Sequence, residues 1–224
     1  MISWHERGVK LSDPLSYFDR IVCINRSDRT DRWCSVQREF DKVGIRDRVL
    51  RHDAAILPNA ELACATSHRQ AVAAAKRDGI VRLLIFEDDV IFIDVEAIPA
   101  AIAELRQQDW RLFYLGGWGS QRPPPHDSRA MPMTKHLFRI LGGYLTTHAY
   151  AISHELFDTF ESKSEDAIDR WLAYTVQPNA LSVGMVHIAA TQIDDYSDIQ
   201  KKQTERGRIV LLHNALLRKS QIII

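Results

Sequence analysis

The first half of the chain alternates short apolar runs with longer segments in which apolar residues recur at helical spacing. Short runs rich in Val, Ile, Leu and Phe predict buried strands, and they lie at residues 20–25, 48–51, 81–86 and 111–115. The longer segments predict helices, and they lie at residues 28–43, 61–78 and 94–108. Gly44 and Gly79 follow two of these helices and are typical helix stops.

Regular alternation of strand and helix is typical of α/β proteins with a mostly parallel, doubly wound sheet and helices on both faces. Such sheets bind ligands beyond the carboxyl ends of their strands. The residues expected at those ends are Asn25, Asp53, the triplet Glu87-Asp88-Asp89 and the pair Gly116-Gly117. We therefore expect the chemistry of this protein at one edge of the sheet.

The second half has a less regular pattern. Residues 119–126 include three consecutive prolines and predict a loop, and Gly142-Gly143 predicts a second break. The remaining segments are predicted as a strand at 147–152, helices at 153–161 and 167–176, β-structure at 181–189, a polar stretch at 192–203 and an amphipathic helix at 204–220. We predict one domain over residues 1–224, with a first half at about 20–118, a second half at about 140–203 and a C-terminal helix at 204–224.

The acidic triplet ends the apolar run Leu83–Phe86 and is followed by Val90-Ile91-Phe92. Carboxylates at the end of a buried strand are costly to desolvate unless a positive charge neutralises them. The triplet contains no Lys or Arg. A divalent cation is a suitable partner, because Mg²⁺, Mn²⁺ and Ca²⁺ prefer oxygen ligands.

Composition narrows the function classes. Lys plus Arg equals Asp plus Glu at 29 each, so the formal net charge is zero. This balance lacks the basic footprint of a nucleic-acid-binding protein. The N-terminus shows no signal-peptide pattern, and no apolar run reaches the length of a membrane span. We expect a cytoplasmic protein, with peripheral contact at the inner membrane through basic residues of the last helix as a further possibility.

The three cysteines, Cys23, Cys34 and Cys64, are far apart and lack the C-x-x-C spacing. This spacing predicts neither a disulfide framework nor a zinc site. We expect buried free thiols in a reducing compartment.

Several segments together resemble glycosyltransferase family 25, which includes lipopolysaccharide and procollagen galactosyltransferases. The first strand ends in Asn25, with Arg32 seven residues later, and the segment Glu61–His68 contains the Cys-x-x-Ser-His pattern. Glu87-Asp88-Asp89-Val90 matches the acidic motif of the family. Second-half segments also resemble it: Thr147–Tyr150, Ile168-Asp169, Gln192 and Ser197–Ile199. Arg26, Ala60 and Ala63 depart from the family pattern, the two alanines at positions where glycine is usual.

The resemblance implies a GT-A-like nucleotide-diphospho-sugar transferase fold and an inverting transfer of a hexose, often galactose, from a UDP-sugar. The acceptor would be a glycan or lipid-linked glycan, such as lipopolysaccharide or a surface polysaccharide. It also implies Mn²⁺ or Mg²⁺ at Glu87 and Asp89. Residues expected near the donor are Asn25, Arg32, Ser67, His68, Asp88, His148 and Gln192.

Inversion requires a base that accepts the proton of the acceptor hydroxyl. Asp169 is our first candidate, and the others are Asp198, Asp194, Asp195 and His148. All lie in the second half, which the resemblance implies is the acceptor half, with the first half binding the donor. Two alternatives stay open at this point. One is a catalytically silent nucleotide- or glycan-binding relative, which the two missing glycines favour. The other is a phosphotransferase with Asp88 as nucleophile.

Overall fold

The computed structural model describes residues 13–161, 167–193, 196–197, 202–203 and 206–222. The helices are α1 (Thr30–Val43), α2 (Ala60–Arg77), α3 (Ala97–Leu105), α4 (Phe157–Glu161), α5 (Ile168–Trp171) and α6 (Arg206–Lys219). The strands are β1 (Arg20–Asn25), β2 (Val49–Asp53), β3 (Arg82–Glu87), β4 (Val90–Phe92), β5 (Leu112–Tyr114), β6 (Trp118–Gly119), β7 (Arg129–Pro132), β8 (Leu137–Gly142), β9 (Tyr144–Leu145), β10 (Ala149–Ser153), β11 (Ser182–Met185), β12 (Ala190–Gln192), β13 (Tyr196–Ser197) and β14 (Lys202–Gln203). Short 3₁₀ segments lie at Arg46–Arg48 and His154–Leu156, and a π-helical turn at Leu172–Val176.

Eight strands form the central sheet in the order β2-β1-β3-β10-β5-β11-β8-β7. Strands β2, β1, β3, β5, β11 and β7 run in one direction, and β10 and β8 run in the other. This arrangement confirms the α/β class with a mostly parallel sheet. It also adds a feature that the sequence pattern did not predict: β10 is antiparallel and lies between β3 and β5.

Two apolar layers cover the faces of the sheet. On one face, Val36 and Phe40 of α1 and Ile98 of α3 are buried against alternate strand residues. The other face packs against α2, α4, α5 and α6, where the buried side chains include Val72 and Leu217. Helices on both faces match the prediction, because strands that are apolar on both sides need cover on both sides.

Several predicted helix boundaries are confirmed, and local backbone conformations and capping hydrogen bonds explain them. Helix α1 ends at Gly44, which has a φ of 74° that suits glycine. Helix α2 begins after Asn59, whose side chain accepts a hydrogen bond from the backbone N–H of Leu62 at 3.0 Å. Gly142 and Gly143, at the predicted second break, have positive φ values of 139° and 70°. Within the described residues, no helix is long and apolar enough to cross a bilayer.

A tight backbone contact joins the end of β5 to β12. A Cβ atom on Gly116 would overlap the carbonyl oxygen of Ala190. We expect Gly116→Ala to lower the free energy of unfolding by about 3 kcal/mol, because backbone must move to relieve the clash. Gly207→Ala is the control, since a Cβ there meets nothing within 4 Å, and it should change stability by less than about 1 kcal/mol. Urea denaturation measures both, and equal stabilities for the two variants would contradict this packing.

Candidate active site

A cavity of about 630 Å³ opens at the carboxyl ends of β1 and β3. The residues that line it come from both halves of the chain. Nine of the predicted site residues line it: Asn25, Arg32, Ser67, His68, Glu87, Asp88, Asp89, Asp169 and Gln192. Of these, Asp169 lies on α5. The parallel strands place the first-half residues at one edge, as expected for a sheet of this class.

The antiparallel strand β10 explains how second-half residues reach this edge. Because β10 runs opposite to β3, its beginning lies beside the end of β3, with Ala149 opposite Phe86. The backbone N–H of Glu87 donates to the carbonyl of His148 at 3.0 Å. Thr146 and Thr147, which precede β10, consequently line the cavity next to the acidic triplet. Neither threonine is among the predicted site residues, because the sequence pattern does not encode strand direction.

The three acidic side chains have different partners. Asp88 accepts hydrogen bonds from Asn25 Nδ2 at 2.6 Å and from Arg32 Nη1 at 3.1 Å. Burial disfavours the charged form of Arg32, but the attraction and the hydrogen bond of Asp88 have the larger combined effect. The pKa of Arg32 is therefore raised. The chain therefore supplies a positive partner for Asp88 from α1, and a metal is not needed to neutralise this carboxylate. A nucleophilic role for Asp88 gains no support, since both of its oxygens accept these bonds.

Glu87 lies against His68, with Glu87 Oε1 3.3 Å from His68 Nε2. Burial favours the neutral form of Glu87, but interactions with His68 and Thr147 outweigh it and hold the pKa of Glu87 below its usual value. His68 is fully buried in α2 and its Nδ1 contacts the hydroxyl of Tyr150 at 3.0 Å. Glu87 is therefore a carboxylate at neutral pH.

Of the three acidic side chains, Asp89 has the least stabilisation of its negative charge. Gln192 Nε2 donates to Asp89 Oδ2 at 3.2 Å, and Asp89 Oδ1 is buried without a hydrogen-bond partner among the described residues. Burial, followed by the charges of Glu87 and Asp88, raises the pKa of Asp89 to about 8. Strand β12 brings Gln192 here by pairing with β4, where Gln192 lies opposite Val90.

A divalent cation fits this arrangement. Glu87 Oε1 and Asp89 Oδ1 are both buried without a hydrogen-bond partner among the described residues. Unsatisfied carboxylate oxygens beside an open cavity are suitable ligands for Mn²⁺ or Mg²⁺, which take one or two carboxylates together with substrate phosphates. Such an ion would supply Lewis-acid stabilisation of a diphosphate leaving group.

Asp169 lies on α5 and its Oδ1 accepts a hydrogen bond from the N–H of Arg170 at 2.7 Å. Burial raises the pKa of Asp169; Arg170 opposes this shift, and the negative charges of Glu87 and Glu61 add to it. Arg170 pairs with Glu61 of α2 at 3.1 Å, which links α5 to the start of α2 at the cavity. A carboxylate with a raised pKa beside a cavity is suited to proton transfer.

Other predicted residues lie outside the cavity or hold it in shape. His148 does not line the cavity: it is fully buried, its Nε2 donates to the carbonyl of Ala190 at 3.1 Å, and its Nδ1 accepts from Thr146. Burial lowers the pKa of His148 to about 4, so the ring is neutral. The expected donor contact of His148 is thus replaced by a supporting role beneath Thr146, whose φ of 134° is rare for a β-branched residue.

Ser67 lines the cavity, but its hydroxyl already donates one hydrogen bond and accepts another within the chain. It donates to the carbonyl of Ala63 and accepts from the N–H of Ala55, each at 2.8 Å. Ser67 therefore ties the segment after β2 to α2. Asp194, Asp195 and Asp198 lie outside the described residues, and their predicted role stays a prediction.

Two features of the cavity escaped the sequence analysis. Trp118 of β6 lines the wall and had no recognised pattern around it. Cys64 also lines it, although we expected only buried free thiols; Cys34 is exposed and Cys64 is half-buried. Cys64 and His68 occupy positions i and i+4 of α2, a spacing that places both side chains on one face of a helix and could have indicated the pairing.

Comparison with known proteins identifies the family. The model of glycosyltransferase family 25 (LPS biosynthesis protein) matches residues 46–175, which is more than half of the chain. The chain belongs to this family. The resemblance seen in the sequence motifs is confirmed, and the matched segment contains the acidic triplet, His68 and Asp169. No curated protein sequence matches the chain.

Several solved structures resemble this one at low sequence identity. The inositol-1-phosphate CTP transferase from T. maritima has a TM-score of 0.45 and 13% identity, covering 88% of this chain and 77% of that one. Mannose-1-phosphate geranyltransferase from Thermus thermophilus has a TM-score of 0.43 and 16% identity, covering 74% and 72%. A glycosyltransferase involved in glycosylation of the major capsid of PBCV-1 has a TM-score of 0.39 and 12% identity, covering 63% and 62%.

Proposed function

We propose that this family 25 glycosyltransferase transfers a hexose from a UDP-sugar to a glycan acceptor, with inversion and with the help of Mn²⁺ or Mg²⁺. Galactose is the proposed sugar, and lipopolysaccharide or another surface or lipid-linked glycan is the proposed acceptor. The observation that carries the proposal is the meeting of Glu87, Asp89 and Asp169 at one cavity of a family 25 chain.

The donor would lie at the carboxyl ends of β1 and β3. Asn25 and Arg32 hold Asp88 in place, and together these three residues would recognise the nucleoside part of the donor. Glu87 and Asp89 would hold the cation that binds the diphosphate. A cation shared by enzyme and diphosphate stabilises the charge that develops on the leaving group.

The acceptor would approach from the side of α5. Asp169 would accept the proton of the attacking hydroxyl as the new glycosidic bond forms and the bond to the diphosphate breaks. Raising the pKa of Asp169 through burial makes it a better base. Trp118, which lines the same cavity, offers an apolar ring face, a surface on which a pyranose ring can pack.

A panel of nucleotide sugars tests the proposal. The purified chain is incubated with Mn²⁺, each donor, and either a deacylated lipopolysaccharide or a neutral oligosaccharide acceptor. Release of UDP and a product with inverted anomeric configuration by NMR are the expected results with UDP-galactose. Retained configuration would contradict inversion. Donor binding without transfer to any acceptor would instead favour a catalytically silent relative.

A further inference from the structure

A thiol, an imidazole and a carboxylate meet on the wall of the cavity. Cys64 and His68 come from successive turns of α2, and Glu87 comes from the end of β3. Their ligand atoms all lie within 4.8 Å of one another, and among the described residues no other group of three or more His, Cys, Asp or Glu satisfies this criterion. The three carboxylates of the acidic triplet do not meet this distance condition among the described residues.

The group contains polar atoms that the chain leaves unsatisfied. His68 Nε2 and Glu87 Oε1 are both buried without a hydrogen-bond partner among the described residues, although the two atoms lie 3.3 Å apart. The side chain of His68 is only 1% exposed. Burying such atoms without hydrogen bonds is costly, and a bound cation would satisfy both.

His68 is also oriented as a metal ligand would be. Its Nδ1 contacts the hydroxyl of Tyr150 at 3.0 Å, and the two rings pack with centroids 5.6 Å apart. When His68 binds a cation through Nε2, Nδ1–H donates to this hydroxyl, and the cation takes the place of the Nε2 proton that faces the Glu87 carboxylate in the metal-free chain. A histidine that binds metal through one nitrogen usually donates a hydrogen bond from the other, and this fixes its orientation.

We propose that Cys64, His68 and Glu87 form a binding site for a thiophilic divalent cation, of which Zn²⁺ is the natural example. Three protein ligands of types S, N and O leave a fourth position open, as in zinc sites that bind water or substrate. Thiolate ligands select Zn²⁺ over Mg²⁺ and Mn²⁺, which prefer oxygen. Binding replaces the thiol proton of Cys64, which is released to solvent.

The site has a consequence for the donor cation. Glu87 belongs to both the thiol site and the proposed Mn²⁺ site, so occupation of the first by Zn²⁺ removes a ligand from the second. Zn²⁺ therefore antagonises Mn²⁺-dependent binding of UDP. This consequence rests on the proposed function, whereas cation binding by Cys64, His68 and Glu87 does not.

Co²⁺ is the probe for the site, because it replaces Zn²⁺ and its bond to a thiolate gives a charge-transfer band in the near ultraviolet. All measurements use the Cys34→Ser chain, which removes the exposed thiol. The band is expected in Cys34→Ser, absent in Cys34→Ser/Cys64→Ser, and present in Cys34→Ser/Asp89→Asn. In Cys34→Ser/His68→Ala, Co²⁺ affinity should fall by at least about 100-fold, since loss of a ligand exceeds the 10- to 100-fold effect of an outer-shell partner.

Circular dichroism and thermal unfolding show whether each variant is folded. If the Cys64→Ser variant does not fold, protection of Cys64 from iodoacetamide by Zn²⁺ in the Cys34→Ser chain, measured by peptide mass spectrometry, gives the same answer. Absence of the band, its persistence without Cys64, or alkylation of Cys64 that Zn²⁺ does not slow would overturn the proposal.

A separate titration of UDP in Mn²⁺, with and without Zn²⁺, tests the antagonism. Zn²⁺ should weaken UDP binding in Cys34→Ser and have little effect in Cys34→Ser/Cys64→Ser. A Co²⁺ band with no effect of Zn²⁺ on UDP binding would confirm the thiol site and overturn the sharing of Glu87. Absence of Mn²⁺-dependent UDP binding in both chains would count against the proposed function and leave the spectroscopic result standing.

Discussion

Asp169→Asn is expected to lower kcat for sugar transfer by about 10²- to 10⁴-fold, the usual contribution of a general base. Asparagine has nearly the same shape but cannot accept the acceptor proton. The Kd for UDP in Mn²⁺ should change little, because we place Asp169 on the acceptor side. Steady-state kinetics and calorimetry measure the two quantities separately.

The pH profile gives a second measure of the same role. Burial raises the pKa of Asp169 above its ordinary value, so the carboxylate is lost as the pH falls through that raised pKa. We expect kcat/KM of the native chain to decline on the acid side, and this decline should be absent in Asp169→Asn. Asp158→Asn is the matched control, because Asp158 lies on the exposed surface of α4 with its side chain 82% exposed. A kcat within a few-fold of the native value in Asp169→Asn would assign the base elsewhere, with Asp198 as the next candidate.

Asp89→Asn is expected to have two opposite effects. It should abolish the Mn²⁺ dependence of UDP binding, since a neutral amide is a poor replacement for a carboxylate ligand. In the metal-free protein it should raise the free energy of unfolding at neutral pH by a few kcal/mol, roughly 1.4 kcal/mol for each pKa unit of perturbation. Few variants that remove a ligand also stabilise the chain, so the combination is diagnostic.

The sign of the expected change in the free energy of unfolding follows from proton linkage. The pKa of Asp89 is about 8 when folded and 3.8 in its unperturbed state. Between these values the folded chain keeps a proton that the unfolded chain has lost, so stability decreases as the pH rises through this range. In Asp89→Asn this decrease should disappear. Chemical denaturation at several pH values between these two pKa values, with EDTA present, measures how steeply the free energy of unfolding falls with pH. An unchanged slope would show that Asp89 is not the titrating group.

Most of the residues that the first half contributes to the cavity were predictable, because their positions depend on local order along the chain. The strand 81–86 and its acidic end, the strand ending in Asn25, and the helix that carries Ser67 and His68 all follow from short-range apolar patterns. Parallel strands then bring their carboxyl ends together without further information. Asn25 and Glu87 are found where this rule places them.

The residues that the second half contributes to the cavity were predictable only through the family resemblance, or not at all. Thr146 and Thr147 reach the cavity because β10 is antiparallel, and strand direction is set by long-range pairing that no local pattern encodes. The pairing of Arg32 with Asp88 has the same origin, since it joins α1 to the end of β3. His148 lies outside the cavity lining for a related reason: its ring faces Ala190, and the local alternation of residues does not determine which side a histidine faces.

The place of β10 between β3 and β5 has a consequence for how the chain is made. During synthesis, residues up to 118 leave the ribosome before the strand that separates β3 from β5 exists. The acidic triplet then lacks the backbone acceptor of Glu87, and two central strands lack a neighbour. The edge of the sheet that lines the cavity is thus assembled late, and a gene split between residues 119 and 128 should yield two inactive fragments that regain activity only when both are produced together.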